Sequence, residues 1–208
     1  VVNHKWTHIA FSRTGGFLTA YIDGVRVLNS SNSYNYSGTP TRYIGPSSGG
    51  TNSPLYISNV RIIKGTGIYS GSTIIVPTAP LTAIANTSLL TCQSNRFIDN
   101  STNNFTITKA GDVSVSPAIP FTQNSSYSTY GSAYFDGTGD YISVGGANMV
   151  FTGDFTIECW VYPARSSYVN YIGIMGGASG NFVPIYLMAN GALEGGIWGT
   201  SGLVYSTL

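Results

Sequence analysis

Apolar and polar residues alternate along residues 6–11 and again along 17–22. A period of two, with β-branched and aromatic residues, predicts strands that have one buried and one open face. Ser12-Arg13-Thr14-Gly15-Gly16 between them reads as a hairpin connection, since glycine takes the positive φ that a tight turn demands. Asp23-Gly24 is a second turn and residues 25–28 a third strand, so the segment is predicted to be an antiparallel meander. Further strands are expected at 42–45, 55–63, 105–108, 113–115 and 155–163, and a strand opens at Leu89-Leu90. Residues 132–144 are expected to form a hairpin that turns at 136–140. The glycine-rich remainder supplies strands near 171–175, 183–188 and 196–198. Residues 97–101 read as an Asx-rich turn, and residues 76–81, with two prolines, as an extended exit segment.

No helical stripe persists and turn residues recur throughout, so the chain is predicted to be all-β. At 208 residues it has length for one large β domain or two small ones. Charged residues make up only 8%, against about 25% in an average protein, so Ser, Thr, Asn, Gly and Tyr must make the surface. That raises the aggregation risk of open strand edges. A covered sandwich, or packing within an assembly, removes it. The net charge of +1 has no basic patch behind it, which argues against nucleic acid as a partner. No apolar run reaches the length of a membrane span.

Several motifs carry a family resemblance. Trp6, His8, an arginine before a Gly-rich turn, and then Tyr21-Ile22-Asp23-Gly24 are similar to the central hairpin of laminin-G-like domains. Those domains belong to the concanavalin-A-like lectin/glucanase superfamily. Phe135-Asp136-Gly137 before Asp140-Tyr141 resembles their first hairpin, and FTIECWV at 155–161 their next long strand. YISNVRIIKGTGIYSG at 56–71 and LLTCQ at 89–93, followed by Asp99-Asn100-Ser101, resemble laminin-G-like repeats of phage virion proteins. The resemblance implies a jelly-roll sandwich of two antiparallel sheets, a virion or extracellular location, and copies of the same unit as partners.

In that family the landmarks run in another order. Residues 1–85 correspond to the C-terminal half of a unit and 86–208 to the N-terminal half. The chain is therefore expected to be a period of about 200 residues from a longer tandem protein, or the halves of two successive repeats, or a circular permutant. The halves are expected to close on each other or on neighbours by strand exchange or head-to-tail contact.

Chemistry-bearing residues are few. Asp136 and Asp140 flank Gly137-Thr138-Gly139 and offer hard oxygen ligands for calcium; the alternative is that both cap the turn. Glu158 and Glu194 are the only glutamates. A glucanase needs paired carboxylates on one strand, and Glu158 has none two or four residues away, so no enzyme is expected. Glu158 is instead expected to pair with a nearby arginine. His4, Trp6 and His8 are expected on one strand face in a structural role. Cys92 and Cys159 read as buried thiols or as a disulfide. Tyr34, Tyr36, Tyr127, Tyr130, Tyr168 and Trp198 fall in or near polar loops, where aromatic faces suit sugar rings or protein contacts. The expected function is a non-enzymatic structural or adhesion module, with glycan as a candidate ligand. The alternative is a filament subunit that assembles by strand pairing and takes no ligand.

Overall fold

The computed structural model describes residues 1–36, 42–45, 53–122, 129–145, 150–164, 172–177, 185–188, 190–195 and 204–205. These residues contain strands and no helix. The meander is present and longer than its alternation suggested, as β1 (Thr7–Thr14), β2 (Phe17–Ile22) and β3 (Val25–Ser31). There follow β4 (Arg42–Ile44), β5 (Leu55–Lys64), β6 (Thr87–Thr91), β7 (Thr106–Ala110), β8 (Ser114–Ser116), β9 (Ser132–Phe135) and β10 (Tyr141–Gly145). The chain continues through β11 (Phe155–Pro163), β12 (Ile172–Gly177), β13 (Ile185–Leu187), β14 (Leu193–Gly195) and β15 (Val204–Tyr205).

Two antiparallel sheets face each other. One has the order β3-β2-β1-β11-β5-β9-β8, with β6 also on β5; the other is β15-β14-β13-β12-β4-β10-β7. The core between them takes Ile9, Phe11, Leu18, Ile57, Ile62 and Ile157 from the first sheet. Ile44, Ile142, Ile174, Ile185 and Leu193 come from the second. Close contact between the sheets excludes a side chain at Gly45. A Cβ on Gly45 would stand 2.3 Å from the Phe135 ring, and Gly45 also has φ of +93°.

The two sequence segments interleave within one chain. β11 lies between β1 and β5, and β4 lies between β12 and β10. Strands of each segment thus pair with strands of the other within the one chain.

The ISNVR stretch owes its form to a bulge. Asn59 has φ of +56°, a conformation asparagine tolerates better than most residues. Glu158 pairs with Arg61 but Trp160 with Ser58, so Asn59 and Val60 together oppose Cys159. The flank of β5 changes partner at this point: residues 55–57 pair with β9 and residues 60–63 with β6. The bulge also settles the cysteines. Cys92 accepts from the Asn59 N–H, on the opposite flank of β5 from Cys159. Two strand spacings, about 10 Å, separate them, beyond the ~7 Å Cα limit for a disulfide. Both are free buried thiols, and burial pushes Cys92 up to about 12.

The expected hairpin at 132–144 is instead an arch. β9 belongs to the eight-stranded sheet and β10 to the seven-stranded one, so residues 136–140 cross between layers. Phe135 and Ile142 both enter the core, which drives the chain across the sandwich. Residues 111–113 make a matching crossing from β7 to β8. His4 also departs from expectation: it sits in a turn before β1 with φ of +55°, while His8 is on the strand.

Residues 65–86 do not leave the domain. They form a strap over the outer face of the eight-stranded sheet. The Ile68 N–H donates to Thr156 Oγ1 at 3.0 Å and the Tyr69 N–H to Ser12 Oγ at 3.2 Å. Farther along, the Leu81 N–H donates to Asn59 Oδ1 at 2.8 Å. Beneath the strap lies Glu158, fully buried, and its expected arginine partner is Arg61. Arg61 Nε and Nη2 donate to Oε1 at 2.9 and 2.6 Å. His8 Nε2 donates to Oε2 at 3.2 Å and the Tyr69 hydroxyl to the same oxygen at 3.0 Å. His8 Nδ1 has no partner, as fits a neutral ring whose one proton is on Nε2. The ring packs against Trp160 at 4.6 Å.

Burial pushes the Glu158 carboxyl up, but the His8 hydrogen bond and the Arg61 charge outweigh it and hold the group below its usual range. The same surroundings push the Tyr69 hydroxyl up, first by burial and then by the carboxylate. Glu158→Gln is expected to destabilise the domain by roughly 3–5 kcal/mol, because a buried pair broken on one side leaves an uncompensated charge. The native contribution of this group is complete above the ordinary carboxylate range near pH ~4.3. It is lost as pH falls through the depressed folded value. Urea melts between pH 3 and 7 should show the native and Gln variants converging at the acid end; a gap independent of pH would refute the account.

Candidate functional site

On each outer-facing strand, positions in phase with Glu158 point away from the core. At one end of the sheet these are aromatic. Tyr162 on β11 is in register with Tyr56 on β5, and Tyr56 with Tyr134 on β9. Their ring centroids are 5.7 and 4.7 Å apart. Trp6, just before β1, continues the row, 5.6 Å from Tyr162 and 6.5 Å from Tyr56. All four are half-buried. Their inward neighbours Leu55, Ile57, Ala133, Phe135 and Val161 are in the core, so backbone alternation fixes the direction of each ring. The result is an aromatic terrace about 10 Å across its three tyrosines, two strand spacings.

Charged groups stand near both ends of the terrace. At Trp6 a groove of about 400 Å³ is also lined by Trp160, Phe121, Pro77 and Thr122. Lys5 and Asp23 form an exposed ion pair at 3.0 Å on its rim. At the other end, the Tyr134 hydroxyl is pushed up first by partial burial, then by Tyr56 and by Asp136, Asp112 and Asp140. Carboxylates that accept hydrogen bonds thus stand close to the last ring.

Those three carboxylates include both expected calcium ligands and add Asp112, with ligand oxygens within 4.8 Å of one another. The arches explain why. Asp140 is buried, and its Oδ1 and Oδ2 accept the N–H groups of Asp112 and Asp136, both at 2.9 Å. One carboxylate therefore ties the two sheet crossings together. Gly111 has φ of +72° and a Cβ there would fall 2.2 Å from Asp140 Oδ1, so the pin demands glycine. Asp136 Oδ1 caps the Thr138 N–H, as the turn-capping alternative required. The donors are hard oxygens suited in kind to calcium. Three of the oxygens are already engaged with backbone N–H groups, and the turn is accounted for by those bonds.

The loop aromatics separate into three groups. Tyr36 is a core residue and not a surface ligand contact. It is fully buried, packs edge-on against Phe155 at 5.8 Å and exchanges hydrogen bonds with Asn32. The Arg13 guanidinium lies 5.4 Å from its ring and 5.0 Å from that of Phe155. Arg13 donates to the carbonyls of Gly153, Phe151 and Tyr34, which closes this end of the sandwich. Tyr34 is exposed. Tyr130 lines a separate cleft. Tyr127, Tyr168 and Trp198 lie outside the described residues.

Tyr56, Tyr134, Tyr162 and Asp112 were absent from the residues singled out in the sequence. Their signal was available: each tyrosine occupies the polar phase of an alternating strand, where an aromatic is out of place unless it is used. Neither a family model nor a curated protein matches this chain.

Asp140→Ala is expected to cost roughly 2–4 kcal/mol, since it strands two backbone N–H groups. Asp136→Ala should cost less than about 1 kcal/mol, the scale of one exposed cap. Thermal melts of both variants, with and without calcium, test the assignment. Equal losses that appear only with calcium present would instead make the cluster a metal site.

Proposed function

We propose that this chain is a non-enzymatic adhesion module that binds glycan along the aromatic terrace. The observation that supports the reading is the half-exposed row of Trp6, Tyr162, Tyr56 and Tyr134, which no strap residue among the described ones roofs. Pyranose rings stack their C–H faces on such side chains, and the carboxylates near Tyr134 and the Lys5–Asp23 pair offer hydrogen bonds to hydroxyls. The row is shallow, so a single contact is weak. Repeats of the unit in a longer chain would raise avidity through effective concentration. The family resemblance supports a laminin-G-like jelly roll in a virion or other extracellular fibre as its setting.

A second reading, the filament subunit without ligand, draws on the sheet edges. Among the described residues β8, β7 and β15 each have a strand neighbour on one side only, and Val115 on β8 is exposed. Such edges can pair between copies.

A glycan array read with native protein and with Tyr56→Ala distinguishes the two. Adhesion predicts binding to a defined glycan class and a loss of roughly tenfold in the variant, about 1.4 kcal/mol. An array silent for the native protein, together with sedimentation that shows concentration-dependent growth, would favour the filament.

A further inference from the structure

We infer that the cleft between residues 93–100 and 129–130 is a second saccharide subsite, one that takes the carboxylate of an acidic sugar on Arg96. The inference rests on the adhesion reading above but concerns a different surface. The cleft holds about 500 Å³ and is lined by Gln93, Ser94, Asn95, Arg96, Asn100 and Tyr130, among others.

Its walls are fixed by backbone pairing. Ser94 bridges to Tyr130, the Asn95 N–H donates to Thr129 O at 3.0 Å and the Gly131 N–H to Gln93 O at 3.3 Å. Ser94 Oγ donates to Arg96 O at 3.0 Å, and the Ile98 N–H donates to the same carbonyl at 3.2 Å. A tight turn thus sets the position of Arg96. Gln93 is 7% exposed; its Nε2 is held on Leu81 O at 3.0 Å while its Oε1 has no partner.

The charge in this cleft is one-sided. Arg96 is exposed, and its guanidinium makes no hydrogen bond or ion pair among the described residues. The nearest carboxylate in sequence, Asp99, is turned inward. It accepts from the N–H groups of Leu90, Ser101 and Phe105 and from Ser101 Oγ. No acidic residue lines the cleft. A planar guanidinium matches a carboxylate through two parallel hydrogen bonds. The surrounding amides and hydroxyls match sugar hydroxyls. With Ile98 as the one aliphatic lining residue, the cleft has little to hold the side chains of a peptide.

The test is a heteronuclear NMR titration of the whole chain with D-glucuronate, D-glucose, acetate and an acetylated alanine dipeptide. Glucuronate should shift the Arg96 Nε–H and the side-chain amides of Asn95 and Asn100. It should bind at least about tenfold tighter than glucose or acetate, the factor expected of a charge-assisted hydrogen bond. Arg96→Gln, an exposed change, should abolish that difference and leave the melting temperature unmoved. Equal responses to glucuronate and acetate would mean an adventitious ion only. Equal binding of the dipeptide would make the site a peptide site. An Arg96→Gln variant that keeps the preference would remove the assigned contact. Each of these three results overturns the inference. Tyr56→Ala keeps the two readings apart, because it should leave the glucuronate response intact. A silent array with a persisting Arg96 response would end the terrace reading alone.

Discussion

One buried carboxylate organises the outer face of the eight-stranded sheet. Glu158 receives hydrogen bonds from His8 on β1, Arg61 on β5 and Tyr69 on the strap. Three groups that lie 150, 97 and 89 positions from Glu158 in sequence therefore have their positions set against a single group on β11. A carboxylate at this depth is costly unless its oxygens are satisfied, and each partner becomes obligatory once the others are present. The strap is held at several points: Tyr69 completes the Glu158 shell, residues 72–74 pair with the start of β3, and Asn59 and Arg61 hold Leu81 and Thr82 farther along.

The extent of the terrace follows from that attachment. The strap covers the sheet from Thr156 to Trp160 and ends its cover near Trp6 through Val76 and Pro77, which line the adjoining groove. Beyond it the outward positions of β11, β5 and β9 are left to Tyr162, Tyr56 and Tyr134. A charged network and an aromatic row thus occupy one face in sequence. The first is buried because its charges need partners; the second stays half-open because tyrosine tolerates both an apolar neighbour and water.

Strand positions were legible in the sequence wherever alternation was strong, as in β1, β2, β5 and β11. The partner of Glu158 was legible too, because a lone glutamate inside an apolar strand needs a cation. What was hidden depended on which layer a strand joins. Residues 132–144 carry a turn signal that suits a hairpin or an arch equally, and only the shared Asp140 carboxylate with the inward Phe135 and Ile142 selects the arch. Tyr36 was hidden for a similar reason. Its neighbours are polar loop residues, and its burial comes from Arg13 and Phe155, partners 23 and 119 positions away. The terrace was missed because aromatics were sought in loops, while the strands held them in the polar phase.

The low charge of the chain takes on a meaning once its charges are located. Arg13, Arg61, Glu158, Asp99 and Asp140 are all buried and engaged. Five of the 17 charged side chains therefore work inside the fold, pinning arches, sheet ends and the strap. The surface carries few charges among its hydroxyls, amides and aromatic rings. Such a surface has little long-range field to steer a charged partner, and its contacts depend weakly on salt. On the adhesion reading proposed above, recognition would rest on stacking and short hydrogen bonds, the interactions suited to the terrace. Arg96 is the exception that gains weight from this background. Among the described residues, an unpaired guanidinium beside amides is a distinct local feature of a nearly neutral surface.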